Sequence, residues 1–112
     1  MNRNLTFGIY LRQLIKESGM TQTEFYTLLG ITKPYFYDIL GGRANPPSHK
    51  LQFKALEILK ANNSSRKIFF DLAAKARGDT PADISKWIYE NPSAVENIRE
   101  SMSIYTGGKI NE

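Results

Sequence analysis

The chain contains no cysteine. That absence excludes disulfides, thiolate metal sites and a cysteine nucleophile, and it suits a reducing compartment such as the cytoplasm. Histidine occurs once, as His49. Its neighbours Ser48 and Lys50 make no triad. No HExxH, P-loop or GxGxxG pattern is present, and His and carboxylate residues do not cluster at metal-ligand spacing. No catalytic residue, metal or cofactor is therefore expected, and the chain does not read as an enzyme. Apolar runs fall short of the roughly 18 residues needed to cross a bilayer. The opening Met1-Asn2-Arg3-Asn4 leads into no apolar stretch of signal-peptide kind. The expectation is a cytoplasmic protein without a membrane partner.

What is present is a composition able to fold. Hydrophobic residues make up 41 % and charged residues 23 % of the 112 positions, enough apolar material for a core and too little charge for global disorder. The length fits one compact domain or a small domain with an added helical unit. The net charge of +4 is unevenly spread. Residues 1–60 carry eight Lys/Arg against four Asp/Glu, and residues 61–112 carry seven of each. A basic half joined to a neutral half suggests a polyanion-binding module with a second part of different purpose.

Helix punctuation is dense and strand signals are nearly absent. Thr6 caps a first helix whose apolar positions Phe7, Tyr10, Leu11, Leu14 and Ile15 recur at helical spacing, and Gly19 stops it. Thr21-Gln22-Thr23-Glu24 is a capping box opening a short helix that ends at Gly30. Thr32 caps the next helix, with Pro34 in its first turn and Gly41-Gly42 at its end. After the rigid Ala44-Asn45-Pro46-Pro47 segment, Ser48 caps a fourth helix reaching about Lys60. Asn62-Asn63-Ser64-Ser65 reads as a polar break and marks the expected domain boundary. A fifth helix is expected from about Arg66 to Arg77, with Ile68, Phe69, Leu72, Ala73 and Ala76 inward. Thr80-Pro81-Ala82-Asp83 and Asn91-Pro92 open a sixth and a seventh helix. Phe25, Phe36, Phe53, Phe69 and Trp87 sit at core spacing.

The informative stretch is residues 21–42, two short helices joined through Gly30-Ile31-Thr32. So short a connection after a glycine throws the second helix steeply across the first. On a helical wheel Phe36, Ile39 and Leu40 share one side, while Pro34 and Asp38, flanked by Lys33, Tyr35 and Tyr37, occupy the other. A helix held by one face and presenting the other can enter a major groove.

Leu11-Arg12, Thr21-Gln22-Thr23-Glu24-Phe25, Gly30-Ile31-Thr32, the Tyr35-Phe36…Ile39 spacing, Gly42-Arg43 and Asn45-Pro46-Pro47-Ser48 occur in an order that resembles the lambda-repressor-like (Xre/Cro-like) helix-turn-helix family over about residues 6–60. The resemblance implies an all-α helix-turn-helix bundle of four to five helices with a C-terminal helical extension. It implies that Gln22 and Thr21 bind a phosphate at the start of the first motif helix, with Gln22 buttressing the reading helix. Lys33, Pro34, Tyr37 and Asp38 then face or flank base edges, and Tyr35, Arg43 and Asn45 serve further phosphates. The chemistry agrees: amide groups and helix N-terminal N–H groups hold phosphates. A lysine donates to guanine, a carboxylate accepts from the cytosine amino group, and a proline ring meets the thymine methyl. Three departures stand out. Tyr26 replaces a residue that is commonly small. Ile15 and Leu40 replace an Arg–Glu ion pair, a swap that packing can compensate. The reading face is poor in long bidentate donors, which favours shape-based or water-mediated readout.

The expected division is 1–62 for DNA binding, 63–105 for a helical extension and 106–112 for a frayed tail. Val95, Ile98, Met102 and Tyr105 form an apolar stripe that either packs on the fifth helix or joins a second subunit, and a homodimer on a palindromic site is expected. The functional expectation is a sequence-specific regulator of transcription on double-stranded DNA, a repressor of the kind used by bacteria, phages and mobile elements. Two alternatives stay open: a protein-interaction module working through Tyr26, Tyr35 and Tyr37, and a self-regulating antitoxin.

Overall fold

The structure is a computed structural model that describes residues 4–102 and residue 104. Among the described residues it has seven helices and no strand: α1 (Phe7–Ser18), α2 (Gln22–Leu29), α3 (Lys33–Leu40), α4 (His49–Leu59), α5 (Asn63–Arg77), α6 (Ala82–Glu90) and α7 (Ser93–Ser101). The all-α expectation holds; seven helices are described where the resemblance implied a bundle of four to five with a C-terminal helical extension. No described helix is long and apolar enough to cross a membrane.

Four starts follow the capping residues. Thr6, Thr21, Thr32 and Ser48 each accept a backbone N–H three residues on, satisfying a donor that the first turn would leave unpaired. Gly19 and Gly30 close α1 and α2 in the left-handed conformation, at φ 78° and 84°. Lys60 adopts the same conformation at φ 52°, where it is the only described non-glycine residue with positive φ.

The chain divides into two compact units, residues 1–82 and 83–112. In the first, α1 is the hub: it packs against α2, α3, α4 and α5, while α2 also meets α3 and α4. Gly8 lets α1 close on the end of α3, since a Cβ there would collide with the carbonyl of Leu40. Ile15 and Leu40 are both buried in the common core. Two aromatic groups organise that core. Phe25, Tyr26 and Tyr37 surround Phe36, with ring centroids 5.9, 5.3 and 5.2 Å away. Phe69 meets Phe7 edge-on at 4.9 Å, and Phe70 meets Phe53 at 5.0 Å.

The boundary expected after residue 62 lies inside the first unit. The polar run there is a helix start: Asn62 Oδ1 accepts from Ser65 N at 2.8 Å, and α5 begins at Asn63. The buried face of α5 is Phe69, Phe70, Ala73 and Ala74, whereas Ile68 and Ala76 are exposed. The Phe7 and Phe53 contacts select that face.

The second unit contains the rest of α6 and all of α7. Asn91 was expected to open α7. Its side-chain amide instead donates to the Trp87 carbonyl at 2.8 Å and closes α6, and α7 starts without a side-chain cap. Trp87, placed in the core on spacing alone, is more than half exposed, and Ile84 and Ile98 are also exposed. A unit of this size has too few apolar residues for a core of its own. Tyr105 and the tail 106–112 lie outside the described residues.

Candidate nucleic-acid interface

Charge follows the two units more sharply than it follows the halves of the chain. Residues 1–82 hold twelve Lys/Arg against six Asp/Glu, and residues 83–112 hold three against five. The basic surplus therefore belongs to the unit that carries α2 and α3.

The start of α2 is fixed by a reciprocal cap. Thr21 Oγ1 accepts from Glu24 N at 3.0 Å, and Glu24 Oε1 accepts from Thr21 N at 2.8 Å. The cap leaves the N–H groups of Gln22 and Thr23 without an intrahelical acceptor, at the positive end of the helix dipole. An anion there would also meet the carboxylate of Glu24.

Along α3 the inward positions are Phe36, Ile39 and Leu40, all buried. Lys33, Pro34 and Tyr35 are exposed, and Tyr37 and Asp38 are half-buried. Thr32 Oγ1 accepts from Tyr35 N at 3.3 Å and holds the first turn. Three of the candidate residues, Lys33, Pro34 and Tyr35, thus share an open helix start.

Gln22, Tyr37, Asp38 and Arg43 are brought into one chain of hydrogen bonds. The Tyr37 hydroxyl donates to Gln22 Oε1 at 3.0 Å, joining α3 to the start of α2. That bond turns the acceptor of the Gln22 amide inward and leaves its two N–H groups for another partner. Tyr37, expected beside the base-facing residues, has its ring packed on Phe36 and its hydroxyl engaged at this junction. Its carbonyl accepts from Arg43 Nη2 at 3.1 Å, and Arg43 Nε donates to Asp38 Oδ1 at 3.0 Å. Asp38 and Arg43, assigned on resemblance to base and phosphate respectively, are therefore bonded to each other. Asn45 is exposed in the loop after them.

That loop is held from behind by residues that sequence reasoning did not single out. Pro46 and Pro47 are buried. Arg77 Nη1 donates to their carbonyls at 3.0 and 3.2 Å, and Gln52 Nε2 donates to Pro47 O at 2.8 Å. Asp79 accepts from Arg77 at 2.9 Å and lies 3.2 Å from His49 Nε2. The hydrogen bond from Arg77 holds the Asp79 carboxyl below its ordinary value, against a smaller opposing effect of desolvation. Lys54 donates to the Leu29 carbonyl at 3.3 Å and caps the end of α2. Only their types hint at these roles: a glutamine on an apolar helix face, and an arginine in a last turn.

Of the stripe expected on the last helix, Val95 is half-buried and Ile98 and Met102 are exposed. No family model, curated protein or solved structure matches this chain.

Proposed function

We propose that this chain is a non-enzymatic, sequence-specific regulator of transcription that binds double-stranded DNA through a helix-turn-helix of the lambda-repressor-like kind, formed by α2 and α3, and acts as a repressor. The observation that carries the reading is the open start of α3 with Lys33, Pro34 and Tyr35 exposed beside an α2 N-terminus whose Gln22 is locked to Tyr37. A helix seated by Phe36, Ile39 and Leu40 and bare on its other side has the form that enters a major groove. The charge excess of the same unit supplies the attraction for phosphates.

The reading includes a homodimer formed through the second unit, where Trp87, Ile84, Ile98 and Met102 leave apolar surface uncovered on two amphipathic helices. Pairing two copies covers it and links two reading helices, which a palindrome with half-sites about 34 Å apart requires. The site of action is then the cytoplasm. The protein-interaction reading loses two of its three tyrosines, because Tyr26 and Tyr37 pack on Phe36 and only Tyr35 stays open.

The test is a mobility-shift titration across salt with duplexes selected from a randomised pool. Expected are a protected palindrome, a steep negative dependence of affinity on salt, and uniform weakening by Gln22→Ala. Failure to enrich any sequence, with affinity indifferent to salt, refutes the proposal.

A further inference from the structure

Asp38 and Arg43 form more than a chance surface pair. Three bonds run from Arg43 into the end of α3: Nε to Asp38 Oδ1 at 3.0 Å, Nη2 to Tyr37 O at 3.1 Å, and the backbone N–H to Asp38 O at 2.8 Å. Ala44 N adds a second bond to Asp38 O at 3.1 Å. The guanidinium lies across Gly41, where a Cβ would displace it. The segment from Tyr37 to Arg43's own backbone therefore builds a seat for one side chain.

The pair still faces water, with the Arg43 and Asp38 side chains 65 % and 49 % exposed. Of the five guanidinium N–H groups two are committed, which leaves three pointing elsewhere. A phosphate approaching those three meets a neutralised cation and a carboxylate at hydrogen-bond distance from it. To give Arg43 fully to a phosphate, the protein must leave Asp38 unpaired among other phosphates unless a new donor reaches it. A base-edge amino group, such as that of cytosine, is such a donor.

Building on the DNA-binding reading, we propose that Asp38 is a specificity-determining residue that acts through Arg43. It withholds the guanidinium from the phosphates of an arbitrary duplex and releases it where a base-edge amino donor takes its place at the carboxylate. Discrimination then comes from weakening the wrong complexes as well as from strengthening the right one.

The experiment is fluorescence anisotropy of the full chain on a random-sequence duplex and on a duplex selected from a randomised pool, each across a salt series. Asp38→Ala is expected to tighten binding to the random duplex about threefold, the scale of an exposed ion pair. It should steepen the log–log salt slope by about 0.9, the signature of one further phosphate contact. The ratio of selected to random affinity falls by at least the same factor. In an Arg43→Ala background the same substitution leaves the slope unchanged. Gly41→Ala, which unseats the guanidinium without altering charge, moves random-duplex affinity in the same direction as Asp38→Ala. Weaker or unchanged binding of Asp38→Ala to the random duplex overturns the inference, and so does an equal change of slope with and without Arg43. In either case a wild-type protein that still selects and binds a sequence keeps the DNA-binding reading standing. A wild type that binds no duplex refutes that reading and this inference together.

Discussion

Replacing Tyr37 by phenylalanine removes one oxygen and keeps the ring on Phe36, so it isolates the hydroxyl that bonds Gln22 at 3.0 Å. A neutral hydrogen bond contributes about 0.5–1.5 kcal/mol net. Gln22 is half-buried and water can reach its freed oxygen, which puts the expected stability loss near about 0.5 kcal/mol, a fall in Tm of about 2–4 °C for a unit of this size. The effect on DNA is larger. With the amide unpinned, binding must immobilise the Gln22 side chain, at about 0.5–1.5 kcal/mol, so affinity drops about twofold to tenfold. The loss should be the same on every duplex if the amide serves a phosphate, as the proposed reading has it. In a Gln22→Ala background the Tyr37→Phe change should add nothing. Anisotropy titrations of the four proteins on selected and random duplexes measure the coupling. If Tyr37→Phe alters preference at a particular base pair, or its cost persists in full without Gln22, then Tyr37 reads bases and the positioning argument fails.

Three further outcomes follow from the first unit. Gly8→Ala should destabilise by about 2 kcal/mol in urea denaturation despite the better helix propensity of alanine, because the new methyl meets the Leu40 carbonyl, which cannot rotate away; a gain in stability would show that α1 and α3 have room to spare. Lys60→Gly should stabilise by up to about 1 kcal/mol by relieving a left-handed lysine at φ 52°, read as a rise in Tm. The lowered pKa of Asp79 means that its ionised form stabilises the fold above the ordinary carboxylate value, and that this stability is lost as pH falls through the lower folded value. Asp79→Asn should therefore be less stable than wild type at neutrality, with the gap closing under acid; melting curves across pH with a constant gap would contradict the link to Arg77.

Much of the first unit was legible in the sequence because its helix starts use side chains that act locally. Thr6, Thr21, Thr32 and Ser48 cap the turn that follows them, whatever the rest of the chain does. The outward face of α3 was legible for the same reason, since Phe36, Ile39 and Leu40 fix the helix phase. The run at 62–65 misled because polar residues suit a linker and a first helical turn equally, and only the bond from Asn62 to Ser65 decides. On α5 nearly every position is apolar from Ile68 to Ala76, apart from Asp71 and Lys75, so periodicity could not choose the buried face. The contacts of Phe69 and Phe70 with Phe7 and Phe53 made the choice. Trp87 and Asn91 misled in a unit too small to follow core statistics. In the candidate site the sequence could not show the pairing of side chains: Tyr37 reaches Gln22 fifteen positions away, and Arg43 reaches back over a helix end to Asp38.

Those pairings bear on how affinity and discrimination divide on the proposed reading. Two carboxylates stand among the groups assigned to DNA: Glu24 at the start of α2, bonded to Thr21, and Asp38 on Arg43. Each stabilises the fold locally, the first as half of a capping box and the second by fixing the loop after α3. Each also opposes a phosphate at the position where it would bind. The attraction that brings a duplex to the surface must then come from the wider surplus of cations on residues 1–82, which acts at a distance and is indifferent to sequence. On α2, α3 and the loop after them Lys33 and Arg43 are balanced by Glu24 and Asp38, so on this reading a duplex held by charge alone gains little by close approach. Only a sequence that offers donors to the carboxylates, or a groove that fits Pro34 and Tyr35, converts the encounter into a tight complex. A lean set of base-reading side chains is thereby compatible with selectivity, because the cost of a wrong sequence is carried by the anions beside it.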